Sequence, residues 1–512
     1  METELKLLID PADADALRHH PLLEKYATEK PHEQTLSGIY FDTSNNELKR
    51  ADAGLRVRQV DNDWVQTLKA GGNAIGGLHE RQEWESKVEG PLPDLAALRE
   101  MIDPKSSYAK LLKGLSKPNR LMPTFTTHVK RTVWELRLPE GDEVECVIDQ
   151  GSIDYGTNKL AISELELELK SGEPKHLLDF ALQLQRDFTM HIGNDSKADR
   201  GYDLIAPSKI SAVKATPIQL STKMSIEEAF QTILKNCLSH IQANEIGVTK
   251  EHDIESVHQM RVGLRRLRSA LSMFKDIILC PKEIQTEVGW LGKELGAARD
   301  WDVLAESTLP KIGKEITEPA ILNPVRKATQ TKAAENHETA ATAVLSSRYT
   351  KLILTFYRWV IGAEWRESMT DTQRGMISAP IIRFANKTLL RDQKNLVKRG
   401  SCLKGANPET RHRVRIAAKK TRYATEFFQS LYSERRVRPY VKALSRLQDE
   451  LGALNDLAVA TRLLQQLEIA RPKIASCAGF VRGYLTCRTT SDDRELDQLW
   501  KQFNRMSLPC KK

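Results

Sequence analysis

The spacing of apolar residues changes once along this 512-residue chain, and the change limits the folds open to it. Up to about residue 170, short runs alternate apolar and polar residues, which is typical of antiparallel strands. From Ser225, which forms an S-x-x-E capping box with Glu228, apolar residues recur mainly at helical spacing. We therefore predict an α+β domain at 1–205, a linker at 206–221 and an all-α domain at 222–512.

Net charge separates the same two regions. Residues 1–200 contain 26 Lys and Arg against 35 Asp and Glu, a net charge of −9. The remaining residues contain 51 against 33, a net charge of +18. A basic region of this kind favours a polyanionic partner such as nucleic acid, polyphosphate or an acidic membrane surface. A solvated basic surface explains the charge equally well.

The cysteines and the apolar stretches indicate the cellular setting. The seven cysteines are odd in number and lack C-x-x-C spacing, which argues against a disulfide framework or a zinc site. The chain is charged from its second residue, and its most apolar later stretch, 352–365, is interrupted by Arg358 and Glu364. We therefore expect a cytoplasmic protein with no signal peptide and no membrane contact.

The chain opens with an E-x-E-x-K alternation, so Glu2, Glu4 and Lys6 share one face of a predicted strand. Carboxylates ligate hard cations such as Mg²⁺ or Mn²⁺, and a lysine neutralises phosphate. Taken alone, such an alternation is usually the solvated face of an antiparallel strand. Other predicted strands repeat the charged face, however, at Arg56 and Arg58, at Arg81, Glu83 and Glu85, at Glu143, Glu145 and Asp149, and at Glu164, Glu166 and Glu168.

Energetics favour an interior position for these faces. Surface ion pairs contribute only about 0.2 to 1 kcal/mol, which hardly calls for such clustering. Burying several like charges costs several kcal/mol per ion unless a metal and a polyanion compensate. We therefore predict that the strands enclose a charged tunnel and that the tunnel is a binding site.

These residues carry a resemblance to the CYTH domain of the triphosphate tunnel metalloenzyme family. The match covers about residues 1–205 and includes Glu2-x-Glu4-x-Lys6, Tyr40-Phe41-Asp42-Thr43, Leu55-Arg56-Val57-Arg58, Lys69, Arg81-x-Glu83-x-Glu85, Asp149-Gln150-Gly151, Glu164-x-Glu166-x-Glu168, Ser196-Lys197 and Arg200-Gly201-Tyr202. The resemblance implies an eight-stranded antiparallel β tunnel, flanked by helices, that binds triphosphate and a divalent metal.

The resemblance also implies roles for individual residues. Substrate phosphates would be bound by Lys6, Arg56, Arg58, Lys69, Arg81, Arg131 and Lys197. Mg²⁺ or Mn²⁺ would be held by Glu2, Glu4, Asp149, Glu164, Glu166 and Glu168. We take Glu2, Glu4 and Lys6 as catalytic, with Lys6 either a phosphate ligand or a general base. Glu83 and Glu85 either orient the basic groups or take a direct part.

The helical region contains an internal repeat. His258, Arg261, Arg265 and Arg268 recur at a constant offset of 154 as His412, Arg415, Lys419 and Arg422, and Glu294-Leu295-Gly296 recurs as Glu450-Leu451-Gly452. We predict a duplicated helical bundle with halves at about 222–345 and 376–506. An extra hydrophilic stretch at about 310–375 separates the halves, and its helix register stays open.

Each set of four basic residues has spacings of 3, 4 and 3, which place it on one stripe of a helix. Like charges at this spacing repel by a few tenths of a kcal/mol, so two matching stripes favour a bound anion over a solvated basic face. The region resembles a CHAD domain, and this resemblance implies that it binds long-chain polyphosphate. Only 6% aromatic residues and no recognition motif argue against nucleic acid.

A CYTH domain followed by a CHAD domain is the order found in bacterial inorganic triphosphatases. We therefore predict a hydrolase that acts on phosphoric anhydrides and converts tripolyphosphate to pyrophosphate and phosphate. The alternatives are a thiamine or nucleoside triphosphatase, a class IV adenylyl cyclase, or a polyphosphate-binding scaffold without catalysis. An organic substrate needs an apolar cradle beside the tunnel, for which Trp64 and Trp84 are candidates.

Overall fold

The computed structural model describes residues 1–60, 63–116, 120–207, 209–489 and 494–510. It divides the chain into two compact units. The tunnel unit comprises Met1–Lys209 with Leu345–Gly362, and the helical unit comprises Ile210–Val344 with Ala363–Lys512. The domain boundaries at 205 and 222 stay a prediction, while residues 345–362 pack with the tunnel unit although they lie far along the sequence.

Nine strands lie in the described part of the tunnel unit. They are β1 Glu2–Ile9, β2 His32–Asp42, β3 Ala53–Val60, β4 Asp63–Ile75, β5 Leu78–Val88, β6 Met122–Arg137, β7 Glu143–Tyr155, β8 Asn158–Ser171 and β9 Met190–Ile192. The first eight pair antiparallel in the order β5-β4-β3-β2-β6-β7-β8-β1, and β1 also pairs with β5, so the sheet closes. The predicted eight-stranded antiparallel tunnel is therefore confirmed.

The described helices follow in chain order. Those before residue 210 are α1 Ala14–Arg18, α2 Pro21–Tyr26, α3 Glu47–Arg50, α4 Leu95–Met101, α5 Ser107–Leu115, α6 Pro174–Leu184 and α7 Lys197–Ile205. The next are α8 Ile226–Gln242, α9 Glu245–Thr249, α10 Ile254–Phe274, α11 Lys282–Asp302, α12 Leu309–Glu315, α13 Asn323–Val344 and α14 Ser347–Ile361. The last are α15 Asp371–Ile377, α16 Ile381–Gly400, α17 Pro408–Phe427, α18 Glu434–Ala470, α19 Ala475–Thr489 and α20 Arg494–Asn504.

The alternation of side chains decides which groups face the inside of the closed sheet. On β8, Leu165 and Leu167 are fully buried on the outer face, where α6 packs. The intervening Glu166 points the other way, into the interior. A period-two pattern of leucine and glutamate therefore builds an apolar shell around a charged interior.

Helix α14 is part of the tunnel unit because it packs on α6 and β9. Arg358 Nη1 lies 2.8 Å from Asp179 Oδ1 on α6. Tyr357 contacts the turn between β4 and β5, where a Cβ on Gly76 would lie 2.9 Å from Tyr357 Cδ1. Gly76 has a φ of +64°, so glycine meets both the conformational and the steric requirement of this turn.

The helical unit is built from two groups of neighbouring helices. In the first group α8, α10, α11 and α13 pack in sequence order, and in the second α16, α17, α18 and α19 do the same. Helix α10 also packs on α17, which joins the two groups. The predicted capping box begins α8, because Ser225 Oγ accepts from Glu228 N at 3.1 Å. The all-α prediction is confirmed, and no described helix is long and apolar enough to cross a membrane.

Candidate active site

The closed sheet surrounds a cavity of about 920 Å³. Eleven of the residues predicted to act in the tunnel line it, namely Glu2, Glu4, Lys6, Arg56, Arg58, Lys69, Arg81, Arg131, Glu166, Glu168 and Lys197. They come from six strands and the first turn of α7. The fold therefore brings together residues that lie up to 195 positions apart in the sequence. The other two predicted ligands, Asp149 and Glu164, are fully buried behind the lining.

Strand register explains how β1 joins these groups. The strand lies between β5 and β8, so Glu4 is opposite Glu168 on one side and His79 on the other. Two residues further on, Lys6 is opposite Glu166. Cross-strand partners of this kind have neighbouring side chains, and the opening motif therefore meets both acidic and basic groups.

Eight buried or partly buried charges behind and around this strand form what we call the paired cluster. Its carboxylates are Glu4, Asp149, Glu164 and Glu166, and its cations are Lys6, Arg131, Lys197 and Arg200. Arg131 donates two hydrogen bonds to Asp149, at 2.8 and 2.7 Å. Such a bidentate pair is the strongest geometry open to an arginine.

The lysines of the paired cluster are held in their charged form. Burial favours the neutral amine, but Glu166 at 3.0 Å and Glu4 at 3.3 Å raise the pKa of Lys6 above its usual value. Burial is likewise outweighed at Lys197, whose pKa is raised well above the usual range by Asp149, Glu164 and Glu166. Both side chains are therefore ammonium ions across the physiological pH range.

A second group of charges lies at the β4 and β5 side of the cavity. Lys69 Nζ contacts both oxygens of Glu2, at 2.7 and 2.8 Å, and lies 3.6 Å from Glu83. Burial and the neighbouring Glu2 carboxylate raise the pKa of Glu83 to about 7, although Lys69 opposes this. Glu83 therefore lies within the charged site, beside Lys69 and Glu2.

Arg56 and Arg58 differ from the other cations because they neighbour each other. The Arg56 guanidinium, burial and Arg131 lower the pKa of Arg58 to about 10. The buried Nε atoms of both side chains have no hydrogen-bond partner among the described residues. Two adjacent guanidinium groups with unused donors are a site for an anion.

Two residues at the site, His79 and Arg200, were given no role in the sequence analysis. His79 lines the cavity, and burial together with Lys6 lowers its pKa to about 4, so it is neutral. Its position in phase with Arg81, Glu83 and Glu85 is the signal that could have found it. Arg200 contacts Glu164 from α7, three residues after Lys197 and so on the same face of that helix.

The helical unit also brings predicted residues together, where α10 packs on α17. Arg261, Arg265, Arg415, Lys419 and Arg422 form what we call the basic cluster. Burial and the arginines at 415, 265, 261 and 422 lower the pKa of Lys419 to about 7. The buried Nε atoms of Arg265, Arg415 and Arg422 have no hydrogen-bond partner among the described residues.

The ends of the two predicted stripes behave differently from their centres. His258 lies beside Arg299, and burial and this arginine lower its pKa to about 4. Arg299 was not predicted as a site residue. Arg268 and His412 are exposed and are not among the groups that shift the pKa values of the basic cluster. The structure therefore gathers the two middle residues of each stripe together with Arg422, and it leaves Arg268 and His412 outside the basic cluster.

Comparison with known proteins gives two family matches. Residues 1–202 match the model of the CYTH domain, and residues 232–465 match the model of the CHAD domain. Over 202 residues the chain is 33% identical to a Haemophilus influenzae protein named inorganic triphosphatase. The alignment covers 39% of this chain and 54% of that protein. The chain thus matches about half the length of this curated relative.

Among solved structures, the CHAD domain from the plant Ricinus communis is 40% identical to this chain. The alignment covers 58% of this chain and 98% of the plant domain, with a TM-score of 0.54. Together with the family matches, this places the C-terminal region in the CHAD family and a CYTH domain before it.

Proposed function

We propose that this protein is a metal-dependent inorganic triphosphatase that hydrolyses tripolyphosphate to pyrophosphate and phosphate. The observation that carries the proposal is the tunnel cavity of about 920 Å³, which nine lysines and arginines line together with carboxylates. A site that bound only a polyanion would not need carboxylates, because they repel phosphate unless a metal intervenes. The name of the Haemophilus influenzae relative supports the same reaction.

In this proposal the arginines bind the phosphate chain. Arg56 and Arg58 offer adjacent guanidinium forks with unused buried donors. Arg81 on β5 and Lys69 on β4 add positive charge on the neighbouring wall. Positive groups fixed in advance stabilise the charge that develops on the departing pyrophosphate.

We assign the divalent metal to the cavity-facing carboxylates Glu2, Glu4 and Glu168. All three line the cavity, and Glu4 is directly opposite Glu168 in the sheet. Oxygen ligands of this type suit Mg²⁺ or Mn²⁺. When bound, such an ion polarises phosphoryl oxygens and lowers the pKa of a coordinated water.

We assign Lys6 to phosphate binding and not to proton abstraction. A general base must be deprotonated before it acts, whereas Glu166 and Glu4 raise the pKa of Lys6. Its ammonium would keep its proton and neutralise a phosphate oxygen beside β1.

The cavity favours an inorganic substrate over thiamine triphosphate or a nucleotide. Trp64 and Trp84 do not line the cavity and instead pack against an apolar cluster under α4 and α5. Tyr40 and Tyr202 do line it, but both rings pack on Phe125, at centroid distances of 4.5 and 5.5 Å, and the Tyr202 hydroxyl donates to Asp42. The aromatic cradle that an organic substrate requires is therefore missing from the described cavity wall.

We further infer that the basic cluster binds long-chain polyphosphate. Its arginines keep unused buried donors, and its lysine has a pKa of about 7 because cations surround it. A polyanion would relieve this repulsion along several phosphates at once. The helical unit would then hold polyphosphate while the tunnel performs hydrolysis.

The substrate proposal is tested by phosphate release from tripolyphosphate, ATP and thiamine triphosphate by the full-length protein with Mg²⁺ or Mn²⁺. We expect kcat/KM to be highest for tripolyphosphate. A higher value for either organic substrate would overturn the substrate and keep the tunnel chemistry. No hydrolysis of any of them would favour a polyphosphate-binding scaffold.

A further inference from the structure

Three carboxylates of the paired cluster lie close enough to share one cation. One oxygen of each of Asp149, Glu164 and Glu166 lies within 4.8 Å of the others. The Lys197 ammonium already occupies this place, because Nζ lies 2.8 Å from Asp149 Oδ2 and 2.9 Å from Glu166 Oε1 and also contacts Glu164. All four residues are less than 9% exposed.

The charges around Lys197 balance without a metal. Asp149 is also bound by Arg131, Glu164 by Arg200, and Glu166 by Lys6 and Arg131. With Glu4 included, four carboxylates face four cations. A divalent ion added here would leave two uncompensated positive charges in a buried site, which is strongly unfavourable.

The space between the three carboxylates also excludes a metal ion while Lys197 is present. Mg²⁺ requires oxygen ligands at about 2.0 to 2.1 Å, so an ion bound to all three carboxylates would coincide with the ammonium. A metal could enter this cluster only if Lys197 left it.

Helix α7 holds Lys197 in position. Lys197 is its first residue, directly after a capping box in which Ser196 and Asp199 satisfy each other's backbone N–H groups. Further along α7, the Tyr202 hydroxyl donates to the buried Asp42 Oδ2 at 2.8 Å. Gly201 lies so close to Phe125 that a Cβ would be 2.2 Å from its ring. The ammonium is therefore presented by a firmly packed helix.

The geometry points to Lys197 as a built-in cation that takes the place of a metal ion among Asp149, Glu164 and Glu166. Among the described tunnel carboxylates, divalent metal then binds at the cavity-facing Glu2, Glu4 and Glu168 and not at Asp149, Glu164 and Glu166. Removing the ammonium creates an additional metal site. The inference rests on the proposed function for the identity of the tunnel metal, Mg²⁺ or Mn²⁺.

The test is the number of Mn²⁺ ions bound per chain, measured by calorimetry and by electron paramagnetic resonance on full-length protein without substrate. Lys197→Met should bind one more Mn²⁺ than the wild type. The matched control is Lys49→Met, because Lys49 also lines the cavity but its nearest carboxylate, Asp203, lies 4.0 Å away. This control should bind the wild-type number. An unchanged or smaller number for Lys197→Met would overturn the inference.

A second variant decides the matter if Lys197→Met does not fold. Asp149→Asn keeps the shape and much of the hydrogen bonding of the cluster, and it should leave the wild-type number of bound Mn²⁺ unchanged. Glu4→Gln should lower that number. Loss of a bound Mn²⁺ in Asp149→Asn would show that metal displaces Lys197, and would contradict the inference.

Hydrolysis of tripolyphosphate by the wild type, assayed in parallel, separates this inference from the proposed function. An additional Mn²⁺ in Lys197→Met without hydrolysis by the wild type would support the built-in cation and refute the triphosphatase. Hydrolysis without the additional Mn²⁺ would do the reverse.

Discussion

The tunnel and the basic cluster are both rich in lysine and arginine, yet the pKa values of their buried lysines are shifted in opposite directions. In the tunnel, carboxylates outweigh burial and raise the pKa of Lys6 and Lys197. In the basic cluster, arginines add to burial and lower the pKa of Lys419 to about 7. The paired cluster of the tunnel is thus electrostatically satisfied before any ligand arrives. The basic cluster, like the Arg56 and Arg58 pair on the tunnel wall, is under repulsion that an anion would relieve.

The largest expected effect of this contrast is on stability. Arg131→Met should lower the local free energy of unfolding of the tunnel unit by about 3 to 5 kcal/mol, because it leaves Asp149 buried without its bidentate partner. Arg265→Met in the basic cluster should leave stability unchanged or increase it by up to about 1 kcal/mol, because it removes a repelling charge. Hydrogen exchange resolved by peptide measures both. Equal destabilisation by the two variants would remove the contrast.

The next effect concerns the separation of tripolyphosphate hydrolysis in the tunnel from polyphosphate binding at the basic cluster. Arg58→Met should lower kcat/KM for tripolyphosphate by about 10²- to 10³-fold, the size expected for loss of one preorganised group that stabilises the transition state. It should leave polyphosphate affinity unchanged. Arg415→Met should weaken polyphosphate binding and leave triphosphate hydrolysis unchanged. Phosphate-release assays and polyphosphate calorimetry measure the two activities, and a variant that alters both would break the separation.

A smaller effect appears in the proton balance of the basic cluster. The pKa of Lys419 lies below that of a free lysine, so the side chain is mostly neutral at pH 8. Bound polyphosphate would raise this pKa, so binding at pH 8 should take up protons. Calorimetry in buffers of different ionisation enthalpy measures the uptake, which Lys419→Arg should abolish because arginine stays charged. Equal proton uptake in that variant would show that Lys419 is not the titrating group.

The lowered pKa of Lys419 also makes the free energy of unfolding of the helical unit depend on pH. The folded pKa of Lys419 is lowered to about 7, while an unfolded lysine titrates near its model value of 10.5. The unfolded state therefore binds the extra proton between these values, and the helical unit gains stability as pH rises from about 7 to about 10. Lys419→Met should flatten this part of the pH dependence, as measured by hydrogen exchange.

The smallest effect concerns α14, which packs with the tunnel unit. Arg358→Ala should weaken that packing by up to about 1 kcal/mol, because its partner Asp179 is partly exposed and solvent screens the pair. Faster hydrogen exchange confined to residues 347–361 would support the assignment. The exposed Arg374 provides a control, since its contact with Asp371 lies within α15. Unchanged exchange in Arg358→Ala would show that the ion pair contributes nothing to the packing.

Much of the tunnel could be predicted because local sequence patterns specify its strands and their charged faces. The alternation of Glu164, Glu166 and Glu168 with leucines gives both the strand and its charged face, since a strand has only two faces. The pairing of Lys197 with three carboxylates could not be foreseen. It depends on where α7 packs, and α7 is held by the contact of Gly201 with Phe125 and by the hydrogen bond from Tyr202 to Asp42. These partners lie about 75 and 160 residues before α7 in the sequence.

The helical unit shows the same limit. The internal repeat predicts two matching basic stripes, and in the structure the helices that carry them, α10 and α17, pack together. The repeat treats every position alike, however, whereas Arg268 lies about 15 Å along the helix axis from His258 and is exposed. Likewise, the sequence does not fix the helix register of about 310–375, and it cannot say that α14 packs on α6.

The central claim is that the E-x-E-x-K strand provides metal ligands for triphosphate hydrolysis, and one comparison tests it most directly. Tripolyphosphate hydrolysis is measured over a Mn²⁺ titration for the wild type, for Glu4→Ala and for Glu143→Ala. Glu143 is exposed, pairs with Arg137 at 2.9 Å and does not line the cavity. The account predicts metal-dependent hydrolysis that Glu4→Ala lowers by about 10²-fold or more. Glu143→Ala should behave as the wild type does. Equal rates and equal Mn²⁺ dependence in Glu4→Ala and the wild type would contradict it.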